Sequence, residues 1–244
     1  MRTRRVLLQV VGAPPGEVAA EHGDFAAFFR RAAGDAAVEL VIGDGLGTPL
    51  PDLRAYDGVI MTGSPASLTE PEPWMEEAVE LVRQAHESGT PLLGVCFGHQ
   101  VIGAAFGGAV VENPSGWEIS TWEVELSPAG RADPLFADLP GRFAVNCSHR
   151  DAVAPETLAP GNGITVLAGN RATPVQALAA GPAIRGVQFH PEFDGAIVRA
   201  YVRSRADRLT TAGHDPAALE RRGADTPHGR AVLTNFLKYF VMRA

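Results

Sequence analysis

Gly94-Val95-Cys96-Phe97-Gly98-His99-Gln100 follows the apolar run at 91–95 and opens a helical stretch at 97–106 that stops at Gly107-Gly108. A cysteine between two glycines, at the junction of a buried strand and a helix, has the form of a nucleophile elbow. The glycines have a steric reason. A tight strand-to-helix turn brings two backbone segments together, and a Cβ at either flank would collide with one of them. The turn also sets Cys96 at a helix N-terminus, where the dipole and free N–H groups favour an anionic nucleophile.

Outward from this turn, the first half of the chain alternates strand and helix signals. Residues 5–11, 37–42 and 58–61 read as strands, and 24–33 reads as a helix closed by Gly34. In 72–87, Trp74, Met75, Ala78, Val79, Leu81, Val82 and Ala85 follow the helical period, and Gly89 is the stop. Such alternation implies crossover units and a mostly parallel central sheet flanked by helices. The middle changes character. Residues 118–126, 143–147, 165–168, 175–180 and 184–189 read as strands between Gly, Pro and Asn turns, which suggests a smaller antiparallel sheet. Residues 195–208, 216–222 and 229–242 then read as a helical C-terminal tail, with the polar segment 211–227 as a surface excursion. Without repeats, low-complexity tracts or a linker, residues 1–244 read as a single α/β domain.

Composition narrows the function classes. The chain has 244 residues, 45% of them hydrophobic, and a net charge of −7. That balance suits a globular core and disfavours disorder or a nucleic-acid partner. No apolar run approaches the roughly 20 residues of a membrane span. The basic start followed by Val6-Leu-Leu resembles a signal peptide, but Gln9 breaks the run and Pro14-Pro15 ends it, so it reads as a first buried strand. Two cysteines make no disulfide framework, so a reducing, cytoplasmic setting is expected. Lys238 is the only lysine. It sits in an apolar C-terminal run, which leaves no phosphate-loop or Schiff-base lysine.

A cysteine nucleophile needs a base. His190, in Gly186-Val-Gln-Phe-His190-Pro191-Glu192, stands at the end of a strand reading, where residues two apart share a face. Glu192 could therefore orient the imidazole. His149, with Asp151 two residues on, is a rival by the same spacing. His99 reads as packing, and Cys147, in Asn146-Cys147-Ser148, reads as inert. None of the histidines has zinc-site spacing, and neither a metal nor another cofactor is expected. Acyl transfer also needs oxyanion donors. The Phe97 N–H, just after the nucleophile, would be one. The loop Thr62-Gly63-Ser64-Pro65, after the strand at 58–61, could supply the other.

These segments, together with Gly116-Trp-Glu-Ile119 and Ser148-His149-Arg-Asp151, occur in one order that resembles the class I glutamine amidotransferases, especially stand-alone members similar to the amidotransferase domain of GMP synthase. The resemblance spans roughly the whole chain and implies the flavodoxin-like class I glutaminase fold. It implies Cys96 as nucleophile on the glutamine side-chain amide, a γ-glutamyl thioester and released ammonia. It makes His190 the base and acid, Glu192 its orienting carboxylate and Gln100 a glutamine-binding residue, with His149 as a further candidate for substrate contact. The family's second oxyanion donor lies in a Gly-Gly-Pro loop. Ser64 replaces the second glycine here, which keeps an N–H but raises the question of its backbone angles. The chain has no ATP pyrophosphatase motif, so an ammonia acceptor would be a synthetase in trans. The alternatives are a stand-alone γ-glutamyl peptide or amide hydrolase and a non-catalytic protein on the same fold. The tail at 195–244 could cover a synthetase surface or form a homodimer contact.

Overall fold

The computed structural model describes residues 2–46, 50–159 and 161–243. Met1 and Ala244, the ends of the span read as one domain, lie outside them. In chain order the elements are β1 (Arg4–Val10), α1 (Gly16–His22), α2 (Phe25–Ala33), β2 (Val38–Asp44), β3 (Gly58–Met61), α3 (Pro73–Ser88), β4 (Leu92–Val95) and α4 (Phe97–Ala105). Then follow β5 (Val110–Glu112), β6 (Glu118–Leu126), α5 (Pro128–Ala132), β7 (Arg142–His149), β8 (Asp151–Val153), β9 (Ile164–Gly169), β10 (Ala177–Ala180) and β11 (Ile184–Val187). Last come α6 (Gly195–Ser204), α7 (Ala206–Thr211), α8 (Pro216–Arg222), α9 (Pro227–Phe236) and a π-helical turn, Leu237–Val241.

Among the described residues the main sheet has nine strands in the order β2-β1-β3-β4-β11-β10-β9-β6-β7. The half from β2 to β11 is parallel, and the half from β10 to β7 is antiparallel. The central parallel strands β3 and β4 are apolar and buried throughout because both faces are covered. Alternate residues divide between two cores. Leu7, Val59, Met61 and Leu92 pack with Leu81 and Val82 of α3 and Phe97 of α4. Val6, Leu8, Ile60 and Leu93 pack on the other face with Phe29 of α2 and Phe236 of α9. The helix signals work as capping chemistry requires. The Asp24 carboxylate accepts the Ala27 N–H at 2.8 Å, and Gly89 ends α3 in the left-handed region at φ 71°.

The antiparallel strands depart from the sequence reading in one respect. Most of them extend the main sheet, and the separate small sheet is only the pair β5–β8. Neither of these short strands, nor α1, is legible in the residue pattern. Residues 195–208 are not one helix, because the chain breaks at Arg205 (φ −114°, ψ 11°) between α6 and α7. The segment 211–227 runs along the surface, as expected, and is tied down at two points. It contains α8, the Leu219 carbonyl accepts from Ser120 Oγ at 2.6 Å, and the Ala224 carbonyl accepts from Asn146 Nδ2 at 3.2 Å. Residues 4–10 form a strand within the sheet, as expected. No described helix is long and apolar enough to cross a membrane.

Candidate active site

Cys96 is the hinge between β4 and α4. Its backbone lies at φ 52°, ψ −100°, a conformation that non-glycine residues adopt only under constraint. The constraint is visible on both sides. A Cβ on Gly94 would lie 2.4 Å from the Gly98 carbonyl oxygen, and one on Gly98 would lie 2.6 Å from the Met61 carbonyl oxygen. The flanking glycines therefore let the turn pack directly on itself and on the end of β3. The Cys96 N–H donates to the Val187 carbonyl at 2.9 Å, which ties the turn to the end of β11.

His190 and Glu192 follow β11 in the turn beyond Val187. Their side chains meet, with His190 Nδ1 2.7 Å from Glu192 Oε1, although on a turn and not along one face of a strand. The ring is stacked on Phe193, centroids 3.9 Å apart, and both members of the pair are buried. Burial works against a charged imidazole. The Glu192 carboxylate and the adjacent Cys96 side chain outweigh it and push the His190 pKa up to about 10. Gly63 brings the third element. A Cβ there would stand 3.1 Å from His190 Cε1 and 3.5 Å from Cys96 Cβ, so the β3 loop lies against both residues.

That loop is anchored by Thr62, whose Oγ1 accepts the Val11 N–H at 3.1 Å and donates to the Gly63 carbonyl at 2.9 Å. The N–H groups of Gly63 and Ser64 have no partner among the described residues. Ser64 does not need glycine's freedom, since Cys96, Ser120 and Asp138 are the described non-glycine residues with positive φ. The question raised by replacing a glycine there is answered by this ordinary backbone. Phe97 opens α4, so its N–H is one of the first-turn donors that a helix cannot satisfy internally.

Gln100 lines the same cleft. Its Nε2 donates to the Asp151 carbonyl at 2.9 Å and to Gln188 Oε1 at 3.2 Å, which leaves its carbonyl oxygen for a ligand. Gln188 in turn directs Nε2 at Cys96 Sγ, 3.6 Å away. The sequence reading missed Gln188. The signal was present, since it precedes His190 by two residues in the same apolar run. His149, the rival base, has both ring nitrogens beside protein oxygens. Nδ1 is 3.1 Å from the Asp151 carbonyl, and Nε2 is 3.1 Å from Glu118 Oε2. The Glu118 carboxylate also accepts from Thr173, Gln176 and Asn170. Burial would raise its pKa, but these donors and His149 hold it below the usual range. His149 is therefore tied into a buried network, and it also lines the cleft. Cys147 lies in that network, and its thiol pKa is driven well up, first by burial and then by Glu118. His99 is fully buried, which pushes its pKa down to about 3.

The cleft in front of Cys96 has a volume of about 780 Å³. Ser64, Gln100 and Trp117 line one part of it, and Arg205, Arg208 and Thr211 line another.

Residues 44–200 match the family model for class I glutamine amidotransferases. The chain is 34% identical to a γ-glutamyl-L-1-hydroxyisopropylamide hydrolase of Pseudomonas, over 66% of this chain and 55% of that protein, so it spans about half that relative's length. It is 38% identical to the glutamine-hydrolyzing GMP synthase of Aeropyrum pernix, over 61% of this chain and 26% of that longer protein. A glutamine amidotransferase from Thermotoga maritima has the same fold, with a TM-score of 0.72 at 21% identity, over 99% of this chain and 100% of that one. With a family model across the elbow and the His-Pro-Glu turn, this chain belongs to the class I glutamine amidotransferases.

Proposed function

We propose that the chain hydrolyses a γ-glutamyl amide through a thioester on Cys96. The observation that carries this reading is the convergence of three elements on one point: the strained elbow at Cys96, the His190–Glu192 pair and the Gly63-Ser64 loop. In the first step Cys96 Sγ, whose proton His190 holds, bonds to the γ-carbonyl carbon. Negative charge moves onto the carbonyl oxygen, where the N–H groups of Phe97 and of the Gly63-Ser64 loop can receive it. His190, held protonated at neutral pH, gives its proton to the leaving nitrogen as the C–N bond breaks. His190 is then neutral and takes a proton from water, which attacks the thioester carbonyl. Glutamate leaves and the thiol is restored. Glu192 holds the ring by Nδ1 and stabilises its cation, as a triad carboxylate does. Gln188 steadies the sulfur. No metal or organic cofactor is needed for any step.

With glutamine as substrate the leaving group is ammonia, for an acceptor on a separate protein. The size of the cleft and the presence of the α6–α7 junction in its wall favour a second reading, a stand-alone hydrolase of larger γ-glutamyl compounds. The test is a screen of glutamine, γ-glutamyl dipeptides and γ-glutamyl amines on the purified chain, measuring ammonia, amine and glutamate together. Release of equimolar glutamate and leaving group supports the hydrolytic reading. No turnover of any of them, with Cys96 unreactive to a glutamine-mimicking electrophile, overturns it.

A further inference from the structure

Arg185 is buried and Arg205 is half-buried, and their surroundings differ. The Arg185 side chain is paired with Asp133, Nη2 to Oδ2 at 2.9 Å. Arg205, at the break between α6 and α7, has no carboxylate partner and no side-chain hydrogen bond among the described residues. Its Nη1 is buried and unsatisfied. The guanidinium is held by rings instead, with Cζ 4.7 Å from the Tyr201 centroid and 5.8 Å from that of Trp117.

An unpaired buried guanidinium is costly, and folded proteins keep one where an anion completes it. Arg205 lines the cleft that Cys96 opens into, and burial lowers its pKa against the opposing influence of Tyr201 and Cys96. None of the carboxylates lining the cleft (Glu70, Glu112, Asp151 and Asp207) forms an ion pair with it. Asp151 accepts from Ser67 Oγ and lies 3.7 Å from Arg150 Nε, and Arg150 is also 3.8 Å from Glu112. The planar fork of a guanidinium matches a carboxylate by two parallel hydrogen bonds, and the ring contacts pre-set its orientation. Resting on the γ-glutamyl reading above, we infer that Arg205 is a specificity residue that binds a carboxylate of the substrate, in a cleft large enough for a γ-glutamyl compound bulkier than glutamine. That carboxylate is either the α-carboxylate of the glutamyl group or one carried by the leaving group.

The test measures binding to the Cys96→Ala protein, so that turnover plays no part. Glutamine, γ-glutamylethylamide and γ-glutamylglycine are titrated by calorimetry, with Arg205 intact and as Arg205→Gln and Arg205→Lys. A 10- to 100-fold weakening is expected from loss of a charge-assisted bidentate contact. Weakening confined to γ-glutamylglycine assigns Arg205 to a leaving-group carboxylate. Equal weakening for all three assigns it to the α-carboxylate. Unchanged affinity for every compound overturns the inference, as does failure of all three to bind when Arg205 is intact. Should the variants fold poorly, phenylglyoxal modification of the unmutated protein takes their place. γ-Glutamylglycine should protect the peptide containing Arg205, and equal modification with and without it overturns the inference. Electrophile labelling of Cys96 reads the thioester chemistry separately, so the two proposals fail by different measurements.

Discussion

Cys96 holds a backbone geometry that costs on the order of 1–3 kcal/mol, and the surrounding turn supports it. Cys96→Ala keeps the small Cβ, so the fold should persist while amide hydrolysis falls by about 10³-fold or more. Circular dichroism and a coupled glutamate assay check both halves. A glutamine-mimicking electrophile should label Cys96 and leave Cys147 unmodified, because Cys147 is buried and its thiol is driven toward the neutral form. Peptide mass mapping that finds the label on Cys147 would reverse the assignment. The neighbouring His190 predicts a pH dependence. Its native pKa, about 10, is above the ordinary 6.5, so it is protonated, and competent as an acid, below about 10. The pair's contribution to stability is complete below pH 6.5 and is lost as pH rises through about 10. Glu192→Gln removes the carboxylate that raises this pKa. The alkaline limb of the kcat profile should move to lower pH, and the variant should lose less rate than His190→Asn. His99 acts in the opposite sense. It is neutral in the fold down to about pH 3 but protonates at about 6.5 when unfolded, so it lowers stability as pH falls through that window. His99→Gln should flatten the acid limb of a thermal-melt series between about pH 6 and 4.

At the scale of elements, the strand-to-helix turn is a packing device before it is a catalytic one. Gly98→Ala would drive a Cβ to 2.6 Å from the Met61 carbonyl oxygen, backbone that cannot rotate away. Overpacking of this kind costs about 1–3 kcal/mol. In a chain of this length that is a fall in Tm of roughly 2–4 °C per kcal/mol. Gly16→Ala is the internal comparison. It opens α1 with nothing within 4 Å of the added Cβ, and should be neutral or slightly stabilising. Thermal melts of the two variants check the contrast, and a stable Gly98→Ala protein would mean that the β3–α4 contact is softer than its geometry. The elbow was legible from the sequence because glycine at both flanks has one simple steric explanation. The Arg205 break was not. The pattern from 195 to 208 stays helical in period, and nothing local marks the residue where the chain leaves α6 and turns along the cleft.

Across the whole molecule, one nearly buried ion pair ties β11, the last strand of the parallel half of the sheet, to the turn after α5. Arg185 on β11 grips Asp133 with Nε and Nη2, reaches the carbonyls of Gly181 and Ile184, and lies with Cζ 4.9 Å from the Phe240 ring. Arg185→Met leaves Asp133 as an uncompensated charge, and a loss of about 3–5 kcal/mol is expected. Urea unfolding of the variant alone and of Arg185→Met with Asp133→Leu should show the double variant recovering much of that loss. The question of a partner also belongs at this scale. A stand-alone hydrolase should turn over its own substrate unaided at a typical rate of about 10 s⁻¹. A chain that feeds a synthetase should be slow until the synthetase is added. Rates on protein free of copurified partners, with glutamine and with γ-glutamyl dipeptides, separate the two.

The residue pattern alone determined the order of strands and helices from 5 to 106 apart from α1, the elbow and the pairing of His190 with Glu192. These depend on interactions between neighbours in sequence: period, caps, and glycines at a tight turn. The rest depends on contacts between distant segments. Tertiary structure sets His149 against Glu118 and brings His190 to Gly63 and Cys96, and the proposal of His190 as the base rests on that difference. The antiparallel strands joined the main sheet because β11 found β4 as its parallel neighbour, a pairing of residues about ninety positions apart. Gln188 and Arg205 acquired their meaning in the same way. Gln188 stands two residues before His190, but only the folded chain brings it to the sulfur, and nothing local marks Arg205, which the fold leaves unpaired in the cleft.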